Sequence, residues 1–263
     1  MKRSLIALYG LIAYAVGMGG LVYFILFVGG WSFLPVHVNA GTPGPLWRAL
    51  LINLGIILLF GVQHSVMARP TFKRQFTKLV PKAAERSTYV LLSGVMMLII
   101  SFGWQPLAGT IWQVDNPVGR LLLTVGYALG WMLAVVSTFV INHFELFGLQ
   151  QVYLNLRNQP EPAPWFTDRF LYRMVRHPLQ LGILIGIWVV PTMSMSLLFL
   201  SAAMTVYIFI GLYFEEKDLV ASLGKEYLAY KQRVPKVLPF PRPASQAADS
   251  EADLVPAPSA SGD

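Results

Sequence analysis

Arg176-His177-Pro178-Leu179-Gln180-Leu181-Gly182 opens an apolar run that carries no Asp, Glu, Lys or Arg until Phe214-Glu215-Glu216 closes it. How Leu179–Phe214 is threaded decides the fold. As a single helix the run would measure about 54 Å, against a bilayer hydrocarbon core of about 30 Å. Pro191-Thr192-Met193-Ser194 interrupts it near the middle, so the expectation is a helical hairpin with arms 179–190 and 193–214. Both ends of a hairpin return to one membrane face. A guanidinium, an imidazole and two carboxylates are thereby brought into one neighbourhood. Ionisable groups at a bilayer boundary are costly to place and are often functional.

The remainder of the chain supports a membrane reading. Of its 263 residues, 55% are hydrophobic and only 13% are charged. Leu5–Val28, Ala49–Met67, Thr88–Leu107 and Leu121–Ile141 are free of Asp, Glu, Lys and Arg, and each is long enough to span. The expected fold class is all-α: a polytopic membrane helix bundle of four spans plus the C-terminal hairpin. The first span follows Met1-Lys2-Arg3 but is too long for a signal-peptide core, and it reads as a retained helix. Residues 1–242 form one integral-membrane domain. Residues 243–263, rich in Ala, Ser, Pro and acidic side chains, are expected to be a disordered, dispensable tail.

Charge sets the expected orientation. Lys2 and Arg3, the segment from Arg69 to Arg86 and the segment from Arg157 to Arg176 are basic, as is the chain after Phe214. The alternate connections are poor in Lys and Arg. By the positive-inside rule both termini, and the clusters at the hairpin ends, face the cytoplasm. The net charge of +7 is thus a topology signal, and no nucleic-acid partner is expected. There is no cysteine, hence no disulfide framework, thiolate metal site or cysteine nucleophile, and no metal is expected. Trp31, Trp47, Trp104, Trp112 and Trp188 are read as interfacial belt anchors, and Gly10, Gly17, Gly19 and Gly20 as helix-packing glycines.

Three histidines fall at the same expected cytoplasmic side: His64 within Gln63-His64-Ser65, His143 within Asn142-His143-Phe144-Glu145, and His177. Gln63 and His64 read either as an interhelical hydrogen bond or as the lining of a substrate cavity. For His143 and Glu145 the alternatives are an interfacial cap or a functional pair.

Arg176-His177-Pro178-Leu179-Gln180-Leu181-Gly182 resembles the Arg-His-Pro-x-Tyr-x-Gly signature of integral-membrane methyltransferases related to isoprenylcysteine carboxyl methyltransferase. A second block, Glu215-Glu216 with Leu223-Gly224-Lys225-Glu226-Tyr227-Leu228-Ala229-Tyr230 and Val234-Pro235, resembles the same superfamily. Asn142-His143-Phe144-Glu145-Leu146-Phe147-Gly148-Leu149-Gln150-Gln151-Val152 looks like the nurim branch. With Gln63-His64-Ser65-Val66-Met67-Ala68-Arg69 and Leu171-Tyr172-Arg173-Met174-Val175-Arg176, it is similar to the bacterial methanethiol S-methyltransferase family from Leu5 to about Pro241. Gln180 stands where the signature has tyrosine.

The resemblance implies S-adenosylmethionine as cofactor and a small thiol, methanethiol, as substrate, with dimethyl sulfide as product. The membrane would be bacterial and cytoplasmic, and the site would face the cytoplasm. Carried over by motif, His177, Gln180, Leu181 and Gly182 contact the cofactor from the first arm. Glu215 and Glu216 accept from its hydroxyls or amines, Arg173 or Arg176 meets its carboxylate, and Tyr227 and Tyr230 act as lid residues. His64 and His143 are the candidate bases for the thiol, with Gln63 and Glu145 on the substrate side. Other readings stay open: another small thiol, a prenylcysteine or a lipid as acceptor; a haem-binding subunit with His64 and His143 as axial ligands; or a non-catalytic scaffold.

Overall fold

In hydrocarbon every backbone N–H and C=O must find its partner within the chain, and helices do this segment by segment. The computed structural model describes residues 2–162 and 167–240; the expected tail, 243–263, lies outside them. In chain order the elements are α1 (Lys2–Val28), α2 (Leu46–Ala68), a short α3 (Pro70–Phe76), α4 (Lys82–Gly103), strand β1 (Thr110–Gln113) and α5 (Pro117–Ile141). Then come α6 (His143–Leu146), α7 (Leu149–Arg157), a 3₁₀ turn (Phe170–Arg173), α8 (Pro178–Trp188), β2 (Thr192–Ser194), α9 (Met195–Leu223) and α10 (Lys225–Arg233). Among the described residues α1, α2, α4, α5 and α9 are long and apolar enough to cross a bilayer. The chain is an all-α, multi-pass membrane protein.

The hairpin forms, with two refinements. Its first arm, α8, covers only about 16 Å, and a bent segment from Val189 to Pro191, followed by β2, carries the chain on to the far end. There β2 pairs antiparallel with β1, Trp112 opposite Met193 and Gln113 opposite Thr192. Ser194 then caps α9 by accepting from Leu197 N at 3.0 Å, which starts the return helix. The second arm does not stop at Phe214 but runs to Leu223, so Glu215 and Glu216 lie inside a helix.

The third span also differs from the expected 88–107. Helix α4 begins at Lys82 and ends at Gly103. Asn53 of α2, fully buried, takes over where α4 stops: its side chain donates to Gln105 O and accepts from Gln105 N, both at 2.8 Å. One amide thus satisfies both backbone groups of a residue that has left the helix. Trp104 is not a belt anchor, since it is buried in the main core with Phe27, Ile100, Trp131 and Met193.

All the basic segments meet at one end of the bundle. Arg3 bonds Asn158 at 2.7 Å, Arg69 bonds Asp218 at 2.8 Å, and Arg86 Nε donates to Leu146 O at 2.7 Å. The β1–β2 pair lies at the other end.

Two helix pairs touch backbone to backbone, as small residues permit in membranes. A Cβ added at Gly94 of α4 would stand 2.5 Å from Gly17 Cα of α1, and one at Gly182 of α8 would stand 2.5 Å from Ala134 N of α5. Gly94→Val should therefore destabilise the bundle by about 1–3 kcal/mol or block folding. Gly19→Val, where nothing lies within 4 Å of the added Cβ, should be tolerated. Thermal unfolding of the two variants in detergent checks the contrast.

Candidate active site

The two hairpin ends meet, and their meeting point is a buried ion pair. Glu216 stands about 31 Å along α9 from Met195, at the edge of a hydrocarbon core of about 30 Å. Arg176 Nε and Nη2 lie 2.8 and 2.6 Å from Glu216 Oε1. His177 Nε2 is 3.2 Å from the same oxygen, and Lys236 Nζ is 3.8 Å from Oε2. Arg176, His177 and Glu216 are 4, 4 and 6% exposed, so this is a desolvated network rather than a surface contact. The remaining Arg176 nitrogen donates to Lys231 O at 2.9 Å and Val234 O at 2.6 Å.

The backbone repeats the connection. Arg176 N donates to Pro235 O at 2.9 Å and His177 N to Lys236 O at 3.1 Å. The segment after α10 is thereby strapped across the head of α8. Tyr230 Oη donates to Tyr172 O at 2.6 Å, tying α10 to the 3₁₀ turn. Tyr227 and Tyr230 pack with Leu219, Val220, Leu223 and Val234. Burial pushes the Tyr230 hydroxyl up to about 12 and raises Tyr227 as well, so both keep their protons at neutral pH.

Glu215 has a different fate. One residue earlier on α9 it points about 100° away. It is exposed and makes no hydrogen bond or ion pair among the described residues. Gln180, half-buried, and Arg173, exposed, are likewise unengaged there. The expected cofactor residues therefore divide. Arg176, His177 and Glu216 are engaged with one another, whereas Arg173, Gln180 and Glu215 have no such partner among the described residues. Leu181 packs against Ile208, Leu212 and Val237, and the close approach that Gly182 permits is to α5.

On the α2 side His64 Nδ1 is 3.0 Å from Ser93 Oγ and Nε2 is 2.7 Å from Tyr89 Oη. Phe60, Tyr89 and Tyr207 surround its ring. Among the described residues Gln63 Nε2 reaches only the Met67 sulfur, at 3.0 Å, and its Oε1 is buried with no hydrogen-bond partner. Arg69 holds Asp218 of α9, with its guanidinium 5.7 Å from the Phe214 ring centre.

His143 lies in a separate polar frame, with Nδ1 2.8 Å from Thr138 Oγ1 and Nε2 2.9 Å from Tyr14 Oη. It stacks on Phe139 at 4.2 Å. Burial lowers its pKa below the ordinary histidine value. Glu145 sits at the third position of α6, where Asn142 is the N-cap: Asn142 Oδ1 accepts from Glu145 N at 3.2 Å, and Asn142 Nδ2 donates to Glu145 Oε2 at 3.1 Å. Sequence reasoning missed Lys236, Tyr172, Tyr89, Ser93 and Tyr14. Lys236 carried a local signal as the neighbour of the Val234-Pro235 block, and Tyr172 stood within the Leu171–Arg176 run; the others carried none.

Compared with curated proteins, the chain is 44% identical over 241 residues to a methanethiol S-methyltransferase of Mycobacterium tuberculosis, covering 92% of this chain and 98% of that one. A methanethiol S-methyltransferase of Crocosphaera subtropica is 41% identical over 240 residues, 91% of this chain and 94% of that protein. Nurim from Bos taurus is 29% identical over 178 residues, 65% of this chain and 68% of that protein. No protein-family model matches the chain, and no solved structure does.

Removing one partner of a buried ion pair strands the other charge. Glu216→Gln should cost about 3–5 kcal/mol, read as a loss of thermal stability in detergent, whereas Glu215→Gln should leave stability unchanged. His143 gives a pH test. Its folded pKa is depressed, so its stabilising contribution is complete above the unfolded value of about 6.5 and is lost as pH falls below it. Wild-type protein should lose stability on acidification through that range, and His143→Gln should flatten the slope. Equal slopes would refute the assignment.

Proposed function

This chain belongs to the methanethiol S-methyltransferase family, and from that premise we propose that it methylates methanethiol to dimethyl sulfide with S-adenosylmethionine as donor. The observation that carries this reading is near-end-to-end similarity to proteins of that name, with both signature blocks inside the matched length. The free groups fit the donor chemically. Such a molecule presents an α-ammonium, a carboxylate, ribose hydroxyls and an adenine amine. Glu215 offers an acceptor for the ammonium or the hydroxyls, Gln180 an amide that both donates and accepts, and Arg173 a guanidinium for the carboxylate.

His177 and Arg176 act at one remove, through Glu216, by fixing the strap that Tyr227 and Tyr230 support. When bound, S-adenosylmethionine supplies an electrophilic methyl carbon on a sulfonium. The chain's part is to hold donor and thiol in line, to keep water out and to accept the thiol proton. Thiolate attack on a sulfonium neutralises charge, and fixed protein dipoles in a dry pocket suit that step better than water does.

The basic end of the bundle, and with it the site, is assigned to the cytoplasm by the positive-inside rule, which in a bacterium makes this an inner-membrane enzyme. A haem reading has less support. Both ring nitrogens of His64 and His143 are already held by hydroxyls, so neither histidine presents an open axial ligand.

Purified protein given S-adenosylmethionine and methanethiol should release dimethyl sulfide, detected by headspace gas chromatography. Glu215→Gln should weaken S-adenosylmethionine binding by about 10–100-fold, the loss of one charge-assisted hydrogen bond of about 1.5–3 kcal/mol. Unchanged affinity by calorimetry would remove Glu215 from the donor site.

A further inference from the structure

Two histidines of this bundle sit in the same hydrogen-bond frame. Ser93 Oγ donates its single proton to Tyr89 O, one helical turn back, at 2.8 Å. Towards His64 Nδ1, 3.0 Å away, it therefore accepts. The imidazole proton is thus on Nδ1 and the lone pair on Nε2, and Tyr89 Oη, 2.7 Å from Nε2, is the donor to it. His143 is framed identically. Thr138 Oγ1 donates to Val135 O at 2.7 Å and accepts from Nδ1 at 2.8 Å, while Tyr14 Oη donates to Nε2 at 2.9 Å.

The two tyrosine oxygens face different surroundings. The His143–Tyr14 pair is enclosed by Phe139, Phe144 and Phe147. The His64–Tyr89 pair is flanked by Tyr207 of α9, whose ring centre is 6.5 Å from that of His64, and the Arg86 guanidinium stands 4.9 Å from the Tyr89 ring centre. Gly211 and Glu215 follow Tyr207 at one and two turns along the same face of α9, and among the described residues nothing lies within 4 Å of where a Cβ at Gly211 would stand. The α9 face that Tyr207 turns to the His64 dyad is therefore uncovered next to Glu215.

Resting on the methyl-transfer reading above, we propose that Tyr89 receives the proton of the thiol substrate while passing its own to His64 Nε2. The thiol S–H bond breaks and its proton goes to Tyr89 Oη. The Tyr89 O–H bond breaks and that proton forms the Nε2–H bond. The pair left on the thiol sulfur makes the new S–C bond, and the methyl carbon's old bond breaks with both electrons staying on the donor sulfur. One positive charge disappears at the sulfonium as one appears on the imidazole. The net charge of the site is conserved, which a low-dielectric environment favours over creating or separating charge. Ser93 positions the ring, and the imidazolium returns its proton to solvent after turnover.

Tyr89→Phe keeps the ring under Arg86 and removes only the hydroxyl. With protein reconstituted in bilayers, this variant should bind S-adenosylmethionine like wild type and turn over methanethiol about 10²–10⁴-fold more slowly, the usual worth of a general base. With trifluoroethanethiol, a small thiol acidic enough to arrive ionised, the deficit should collapse. Tyr14→Phe should show no dependence on thiol acidity. A second readout needs no turnover: the ¹⁵N spectrum of His64 should show the proton on Nδ1, with the Nε2 signal shifted in Tyr89→Phe. A Tyr89→Phe deficit equal for both thiols, a wild-type rate in that variant, or a proton on Nε2 would overturn the relay. Absence of dimethyl sulfide from the wild type would instead overturn the methyl-transfer reading itself.

Discussion

The architecture at the functional end hangs on one carboxylate. Glu216 Oε1 receives Arg176 at 2.6 and 2.8 Å and His177 at 3.2 Å, joining residues 40 positions apart in a place that water barely reaches. Taking these charges out of water costs several kcal/mol per ion, and the mutual attraction repays it only when the remaining donors and lone pairs are satisfied. Here the carbonyls of Lys231 and Val234 take the guanidinium's remaining donors, and the Lys236 ammonium, 3.8 Å from the second carboxylate oxygen, adds Coulomb attraction without a hydrogen bond. An apolar cluster of equal volume would hold the helices as firmly. What the charges add is register, because only one sliding position of α8 against α9 satisfies them all.

That register gives the adjacent glutamates opposite tasks. On a helix two successive side chains diverge by about 100°, so a Glu-Glu pair cannot place both carboxylates in one pocket. Glu216 faces the head of α8 and is consumed there. Glu215 points away from that contact, is exposed, and has no hydrogen-bond or ion-pair partner among the described residues. The sequence pattern made the pair conspicuous without revealing this division, because the division depends on α9 continuing as a helix past Phe214 to Leu223.

Much of the fold is legible in the amino-acid sequence. Charge-free runs marked the spans, and the excess length of Leu179–Phe214 with Pro191 at its centre required a hairpin. What could not be read were contacts made between elements distant in sequence. Gly182 looked like a residue that lets a cofactor approach, yet the backbone it admits is that of α5. Glu145 looked like a substrate-side carboxylate, yet it is held by the N-cap residue of its own helix, Asn142. His64 was visible as a polar residue in an apolar span. Its partners Tyr89 and Ser93 come from α4, a helix whose own pattern gives no sign of them.

The two histidine frames show how a membrane protein makes imidazole compatible with hydrocarbon. A Ser or Thr hydroxyl already donating to its own helix can only accept from the ring, and this fixes the tautomer without a carboxylate. A tyrosine hydroxyl then covers the remaining lone pair. Both nitrogens are satisfied with no formal charge, which is why the same frame recurs at His143 among phenylalanines. Chemistry requires one thing more: a tyrosine oxygen with an unshared lone pair facing a space where a substrate can stand. Of the two frames only His64–Tyr89 packs against α9, at Tyr207, on the face that carries Gly211 and Glu215 one and two turns further on. An arrangement that serves packing in one place therefore becomes a proton acceptor in the other, by position alone.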